Sequence, residues 1–290
     1  MPRTVDEGFA EFLSHLKSTT IETSTAKSHR ESIENCLKSN FGLQRFIRIG
    51  SFGNGTNISG YSDVDYLACL PTNQLTQNSI YSLGKVRNVL HSRFPASGVR
   101  VNSPAICISF GVYVSETTEI VPADYIRTES SFKVYEIADG QGGWMQASPD
   151  AHNAYVASVD SKLNKKVKPL IKLVKAWKYY QGVPISSFYL EMWVAKYANE
   201  EAAILYDFDL QQVLRKMADS GLAKMHDPMG FSGYISPCNT EAQKHQAISK
   251  LETAATRAGK AFASVSEGDI RSAFEWWDIL YNYNFPSYYL

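Results

Sequence analysis

Two aspartates, Asp63 and Asp65, stand at alternate positions where the apolar segment 64–70 begins. Successive side chains of a β-strand point to opposite faces, so the two carboxylates are predicted to share one face. Two carboxylates placed so close together repel each other and lose hydration, and a divalent cation between them relieves both effects. The pair therefore predicts a metal site.

Gly50 and Ser51 precede this pair, with eleven residues between Ser51 and Asp63. The intervening segment is rich in small residues and is predicted to be a loop, which offers backbone N–H groups and the Ser51 hydroxyl to a polyphosphate. A metal ion and a triphosphate are together the apparatus of nucleotidyl transfer. Gly-Ser or Asp-x-Asp alone is common by chance, but their combination between two predicted strands favours a functional site.

A third carboxylate is needed for two-metal nucleotidyl transfer, because one metal activates the attacking hydroxyl while the other holds the triphosphate. Glu119 is the first candidate, since it begins an apolar run that is predicted to be a strand. Asp124 and Glu116 are the alternatives. Glu119 is otherwise an ordinary exposed residue at the start of a strand.

A lysine-rich segment, KKVKPLIKLVKAWKYY, is predicted to be helical over residues 165–180. Lys172 and Lys175 both follow Pro169, which starts or kinks the helix, so these two lysines are predicted to share one face. Such a face is either solvated or neutralises phosphate beside the carboxylates. The pattern alone favours the solvated face.

A serine and aromatic segment comes next and is predicted to begin a helix. Ser186 or Ser187 is the candidate N-cap, and Phe188 or Tyr189 is a candidate for stacking on a nucleotide base. Either aromatic is equally compatible with the core of the protein.

The composition excludes several classes of protein. The chain has 290 residues, with 29 basic and 29 acidic side chains and a formal net charge of zero, which argues against binding of long nucleic acids. Its four cysteines form no CxxC or Cys/His cluster, which argues against a zinc site or a disulfide framework. No secretory signal and no apolar run of about 18 residues is present, so we expect a cytoplasmic protein without membrane contact.

The hydrophobic pattern predicts a mixed α/β lobe over residues 1–150 and a helical lobe over 151–290, with the carboxylates facing the cleft between them. The N-terminal helix is compatible with either lobe. Helices are predicted over 5–40, 79–93, 156–180, 186–198, 209–220, 240–264 and 267–281, and strands over 46–50, 64–70, 99–101, 105–114 and 119–126.

Several short motifs together carry a family resemblance. They are Ile49-Gly50-Ser51, Gly55-Thr56, Ser62-Asp63-Val64-Asp65, Val121-Pro122-Ala123, Gly143-Trp144, Ser148-Pro149 with His152, the segments 170–177 and 187–191, and Asp227-Pro228. With these motifs the sequence resembles, over nearly its whole length, the cGAS/DncV-like nucleotidyltransferases (CD-NTases) of the DNA polymerase β-like superfamily.

This resemblance implies an α+β fold, in which a polymerase β-like nucleotidyltransferase lobe precedes an all-helical lobe and the active site lies between them. The implied site residues are Gly50 and Ser51 for the triphosphate, Asp63, Asp65 and Glu119 for two Mg²⁺ (or Mn²⁺) ions, Lys172 or Lys175 with Ser187 for the donor phosphates, and Phe188 or Tyr189 for the base. The family usually has Asp where this chain has Glu119. The longer side chain displaces the carboxylate, which would slow the reaction or favour Mn²⁺.

The resemblance further implies a synthase that joins nucleoside triphosphates into a cyclic di- or trinucleotide messenger and releases pyrophosphate. The messenger would serve bacterial anti-phage (CBASS-type) signalling, and a downstream effector would meet the product rather than the enzyme, which would be a monomer. The alternatives are transfer of a nucleotide to a protein, an RNA end or a small molecule, and a catalytically weak nucleotide-binding regulator. The absence of clustered cysteines argues against the direct DNA sensing known in the animal branch.

Overall fold

The computed structural model describes residues 2–17, 20–110 and 116–289. Its first half contains α1 (Val5–His15), α2 (Thr20–Phe41), β1 (Arg45–Arg48), α3 (Gly50–Asn54), β2 (Val64–Cys69), α4 (Ser79–Arg93), β3 (Arg100–Asn102), β4 (Ala105–Phe110), β5 (Glu116–Glu129), β6 (Phe132–Ala138) and β7 (Trp144–Ala147). Its second half contains α5 (Pro149–Lys162), α6 (Val167–Tyr180), α7 (Ser187–Asn199), α8 (Tyr206–Asp219), β8 (Met225–His226), β9 (Tyr234–Ile235), α9 (Glu241–Ser266) and α10 (Ile270–Leu280).

The strands β1 to β7 form one mixed sheet. Its main path runs β1-β2-β5-β4-β3, and β6 and β7 continue from the far end of the long strand β5. Only β2 and β5 run parallel among the described pairs of this sheet, and the register sets Asp65 opposite Glu119. The mixed sheet followed by helices agrees with the predicted α+β class.

One face of the sheet is covered by helices, and the opposite face carries the carboxylates together with a smaller buried cluster that includes Leu67 and Cys69. Alternate residues of β2, among them Val64 and Tyr66, pack with α2 and α4 in one apolar cluster. Because strand side chains alternate, Asp65 points to the opposite face. The burial of one face therefore decides that the carboxylates lie on the other.

The helices of the second half share a separate core with α1. Phe9 and Phe12 of α1 are buried in the same cluster as Trp177 of α6 and Trp277 of α10. The helix that the sequence left compatible with either lobe thus packs against the helical half. The boundary near residue 150 stays a prediction.

The predicted helix over 156–180 is in fact two helices, α5 and α6. Asn164 and Lys165 between them have positive φ angles of 54° and 62°, which a continuing right-handed helix excludes. The buried Asp160 carboxylate accepts hydrogen bonds from the backbone N–H groups of Val167 and Lys168, both at 3.0 Å. These bonds satisfy donors that the start of α6 leaves unpaired.

Other predictions differ in detail. The predicted loop after Gly50 begins with the short helix α3, which is only five residues long and too short to show a periodicity. The strands β6 and β7 were not predicted, because they form through the pairing of β6 with β5 and of β7 with β6 rather than through a local pattern. The predicted strand over 105–114 ends at Phe110, and residues 111–115 lie outside the described part.

None of the helices in the described ranges is both long enough and apolar enough to span a bilayer.

Candidate active site

Three carboxylates converge on the open face of the sheet. Asp65 and Glu119 are paired across β2 and β5, and Asp63 immediately precedes β2 and shares the face of Asp65. Burial, and then the negative charge of Glu119, raise the pKa of Asp63 to about 6. Burial, Glu119 and Asp63 hold the pKa of Asp65 well above its usual range. Burial is the larger cause of both shifts and the charges of the neighbouring carboxylates are the smaller one, so a bound cation would lower both pKa values.

The donor chemistry of this group fits a hard divalent cation. The three side chains offer only carboxylate oxygens, which are the donors that Mg²⁺ and Mn²⁺ prefer. Within residues 2–17, 20–110 and 116–289, no three ligand side chains are gathered closely enough to enclose a metal ion as they stand. Mg²⁺ does not require such a cage, because it is commonly held by one or two carboxylates together with water and substrate phosphate.

Of the candidates for a third carboxylate, Glu119 is the one that the register places opposite Asp65. Asp124 stands five residues along β5, which puts it on the opposite face, where it accepts a hydrogen bond from Thr72 at 2.9 Å. The side chain of Glu116, the other alternative, lies outside the described part. Only Glu119 is placed beside Asp65.

Two neighbours that the sequence did not single out hold the Glu119 carboxylate. Cys107 on β4 stands opposite Glu119 and its thiol donates to Oε1 at 3.1 Å. Burial, and then the bond with Glu119, raise the pKa of Cys107 to about 12, so the thiol keeps its proton. Asn102 donates to the same oxygen at 3.5 Å. Only the strand register could have revealed these contacts.

Gly50 brings the start of α3 against Asp65. Its φ angle is +59°, and a Cβ atom added there would stand 2.0 Å from Oδ2 of Asp65. The backbone N–H of Ile49 donates to the Asp65 carbonyl at 2.9 Å, which holds the start of α3 against β2. The N–H groups of the first turn of α3, including that of Ser51, have no acceptor within the helix. They are available beside the carboxylates.

We expect Gly50→Ala to remove most of the activity. The new methyl group would displace the Asp65 carboxylate, and a misplacement of about 1 Å costs on the order of 10²-fold in rate. Gly60→Ala is the matched control, because Gly60 also has a positive φ (+72°) and nothing lies within 4 Å of its added Cβ. Both variants should lose about 1–2 kcal/mol of unfolding free energy from left-handed strain, measured by denaturant titration. Equal pyrophosphate release by the two variants would contradict this assignment.

The predicted lysines occupy different environments. Lys175 has no exposed surface, and its ammonium group donates to Glu191 at 2.8 Å. Lys172 is half-buried, and burial followed by the charges of Lys17 and Lys175 lowers its pKa. Glu191 thus neutralises the ammonium group of Lys175, whose charge also acts on Asp65.

Lys178 is the lysine whose charge reaches Asp63. It donates to the Ser187 hydroxyl at 2.7 Å. Burial, and then the charge of Lys175, lower its pKa to about 8. The signal was present in the sequence, since Lys178 stands three residues after Lys175 on the same helix face.

Phe188 and Tyr189 lie in different environments, and Tyr189 is not suited to stacking on a base. Tyr189 has no exposed surface, stacks on Trp193 and donates its hydroxyl to the Ala223 carbonyl at 2.8 Å. It is a core residue and has no face for a base. Phe188 is 38% exposed, so its ring is accessible for stacking on a base. Ser186 is the N-cap and accepts from the N–H of Tyr189.

A buried polar network joins the helical half to α3. Glu191 on α7 accepts hydrogen bonds from Lys175, Asn54 and Thr56. Burial opposes its charge, but Lys175 and the three hydrogen bonds outweigh this and lower the pKa of Glu191. Sequence reasoning missed this network, because its members come from three separate segments. It anchors the end of α3, and hence Gly50 and Ser51, to the helical half.

The chain is similar in sequence to a known protein family. Residues 3–159 match the family described as the Second Messenger Oligonucleotide or Dinucleotide Synthetase domain (SMODS). A probable cyclic nucleotide synthase of Bacillus cereus (strain VD146) is 25% identical over an alignment of 256 residues, and the alignment covers 81% of this chain and 75% of that protein.

Solved structures share the fold over most of the chain. CdnC of E. coli MS115-1, solved with ATP, has a TM-score of 0.74 at 17% identity and covers 97% of this chain and 98% of its own. The CD-NTase CdnG of Bradyrhizobium diazoefficiens, in complex with GTP, has a TM-score of 0.72 at 13% identity, covering 96% and 97%. Vibrio cholerae DncV, a cyclic AMP-GMP synthase in complex with a linear intermediate, has a TM-score of 0.64 at 15% identity, covering 85% and 71%. This likeness confirms the predicted fold class.

Proposed function

The chain belongs to the SMODS family of second messenger oligonucleotide or dinucleotide synthetases, as its resemblance to the CD-NTases predicted, and on this basis we propose that it joins nucleoside triphosphates into a cyclic di- or trinucleotide. Pyrophosphate is the second product. The observation that carries the proposal is the row of three carboxylates, Asp63, Asp65 and Glu119, on one face of the sheet beside Gly50. The solved relatives that hold ATP and GTP support triphosphates as the substrates.

The proposed metal ligands are Asp63, Asp65 and Glu119, which would hold Mg²⁺ or Mn²⁺, two ions per site. Bound there, the ions would neutralise charge on the reacting phosphates and acidify the attacking hydroxyl. The protein itself orients the ligands: Cys107 donates to Glu119, and the backbone of α3 packs against Asp65.

The proposed triphosphate ligands are the Ser51 hydroxyl and the first-turn N–H groups of α3 on the sheet side, with Lys178 and Ser187 on the helical side. Lys178 is proposed for the phosphate role that the resemblance implied for Lys172 or Lys175, because its charge acts on Asp63 whereas Lys175 is paired with Glu191. Below its pKa of about 8 Lys178 is positively charged, so it opposes the negative charge of a triphosphate. Phe188 is the proposed platform for the base.

The proposed setting is bacterial anti-phage signalling of the CBASS type, in the cytoplasm, by a monomeric enzyme whose product binds a downstream effector. Family membership supports this setting. A net charge of zero supports the view that long nucleic acid is not a partner.

The test is incubation of the purified chain with all four nucleoside triphosphates and Mg²⁺ or Mn²⁺, followed by phosphatase treatment and mass spectrometry. We expect a cyclic product that resists phosphatase, together with released pyrophosphate, and no product when the metal is chelated. Transfer only to an added protein, RNA or small molecule would favour the first alternative. Calorimetric binding of triphosphates without turnover in either metal would favour the second.

A further inference from the structure

A buried ionisable pair lies outside the carboxylate group, between His152 on α5 and Asp227 in the turn between β8 and β9. The His152 Nε2 and Asp227 Oδ2 atoms are 2.9 Å apart, and the side chains are 7% and 0% exposed. Burial opposes the charge of Asp227, but the bond with His152 outweighs it and holds the Asp227 pKa at about 2. Asp227 is therefore a carboxylate at neutral pH, and Nε2 of His152 carries the hydrogen that it accepts.

The turn itself holds Asp227 in place. Its two oxygens also accept hydrogen bonds from the backbone N–H groups of Met229, Phe231 and Ser232, at 2.8 to 2.9 Å. A carboxylate with four donors has little freedom to rotate. It fixes both the tautomer and the plane of the His152 ring.

The His152 ring also contacts Phe188. The two ring centroids are 4.9 Å apart, with an edge-to-face angle of 64°. Phe188 is partly exposed and directly follows Ser187, whose hydroxyl accepts from Lys178. An aromatic side chain exposed on one side requires a rigid neighbour on the other to keep a single orientation. His152 is that neighbour.

We propose that His152, held by Asp227, is a positioning residue that fixes the ring of Phe188 as the stacking platform for a nucleotide base. This inference rests on the proposed function, because it requires a nucleotide in the site. A platform ordered in advance binds more tightly than one that must be ordered on binding, since the ordering entropy is no longer lost. The contribution concerns the base and leaves the phosphates unaffected.

The test compares the affinity of a nucleoside triphosphate with that of ribose 5′-triphosphate, which lacks the base. We expect His152→Ala to weaken binding of the nucleotide about tenfold, which corresponds to about 1.4 kcal/mol, and to leave binding of ribose triphosphate unchanged. Phe188→Ala should show the same selective loss. The double variant should be no weaker than Phe188→Ala alone, because His152 acts through that ring.

Two further variants separate positioning from folding. His152→Gln retains an N–H donor for Asp227 and is expected to restore part of the affinity, which keeps the test valid if His152→Ala does not fold. His226→Ala is the matched control, since His226 contacts Tyr234 within the same hairpin and should leave both affinities unchanged.

Equal weakening of nucleotide and ribose triphosphate by His152→Ala, or additive losses in the double variant, would overturn the inference. The proposed function would stand in that case, provided that the unaltered protein still cyclises nucleotides. Absence of nucleotide binding by the unaltered protein would instead reject the proposed function and, with it, this inference.

Discussion

Replacing Asp63 and Asp65 together by asparagine is expected to abolish nucleotidyl transfer and, at the same time, to stabilise the metal-free protein. The loss of activity should exceed about 10³-fold, because even one electrostatic contact to a transition state contributes 10²–10³-fold. The gain in stability follows from removing two charges that repel each other and Glu119.

The pH dependence of stability has a definite sign. The pKa of Asp63 is higher in the folded protein, about 6, than its ordinary value of 3.8, so its ionised form disfavours folding. The free energy of unfolding of the metal-free protein should therefore increase as the pH falls from 7.5 towards 4. The same fall in pH should produce a smaller increase in the double variant. Asp63 is only partly buried, so solvent screens its charge, and the gain at pH 7.5 is about 1 kcal/mol, or roughly 2 °C in melting temperature.

Thermal melts with and without Mg²⁺, beside pyrophosphate release, measure both effects. Mg²⁺ should raise the melting temperature of the unaltered protein more at pH 7.5 than at pH 5.5, and should not affect the double variant. Asp219→Asn, on the exposed end of α8, is the control and should change neither quantity. Activity retained by the double variant would reject the assignment of the site.

Glu191→Ala is expected to lower the free energy of unfolding by about 3–5 kcal/mol, because it leaves the buried ammonium group of Lys175 without a counter-charge. Asn54 and Thr56 lose their acceptor at the same time, so the end of α3 is released. The expected fall in melting temperature is on the order of 10 °C. Glu191→Gln keeps the shape and should cost less.

The double substitution Lys175→Met with Glu191→Leu distinguishes the structural from the catalytic role of this pair. Replacement of both partners by apolar groups of similar volume should restore most of the stability. If Lys175 also binds phosphate, as the sequence analysis proposed, the restored protein remains inactive. If the pair acts only in holding α3, activity returns with stability. An unaffected melting temperature in Glu191→Ala would show that the pair stabilises nothing.

The sequence by itself determined the residues whose role depends on local geometry. Asp63 and Asp65 share a face because strand side chains alternate every two residues. The fold class that the family motifs implied is confirmed. Gly50 was identified through its motif, although the reason that only glycine fits there, the contact with Asp65, required the structure.

Tertiary structure alone decided among residues that the local pattern left equivalent. Glu119 and Asp124 are separated by the register between β2 and β5, and register depends on which strands pair. Phe188 and Tyr189 are adjacent on one helix, and only packing of α7 against its neighbours buries Tyr189 and exposes Phe188. Likewise only the folded structure shows that Lys175 is paired with Glu191 and that Lys178 acts on Asp63. Periodicity reports which side chains of an element lie together, whereas contacts between distant segments arise only when the chain has folded.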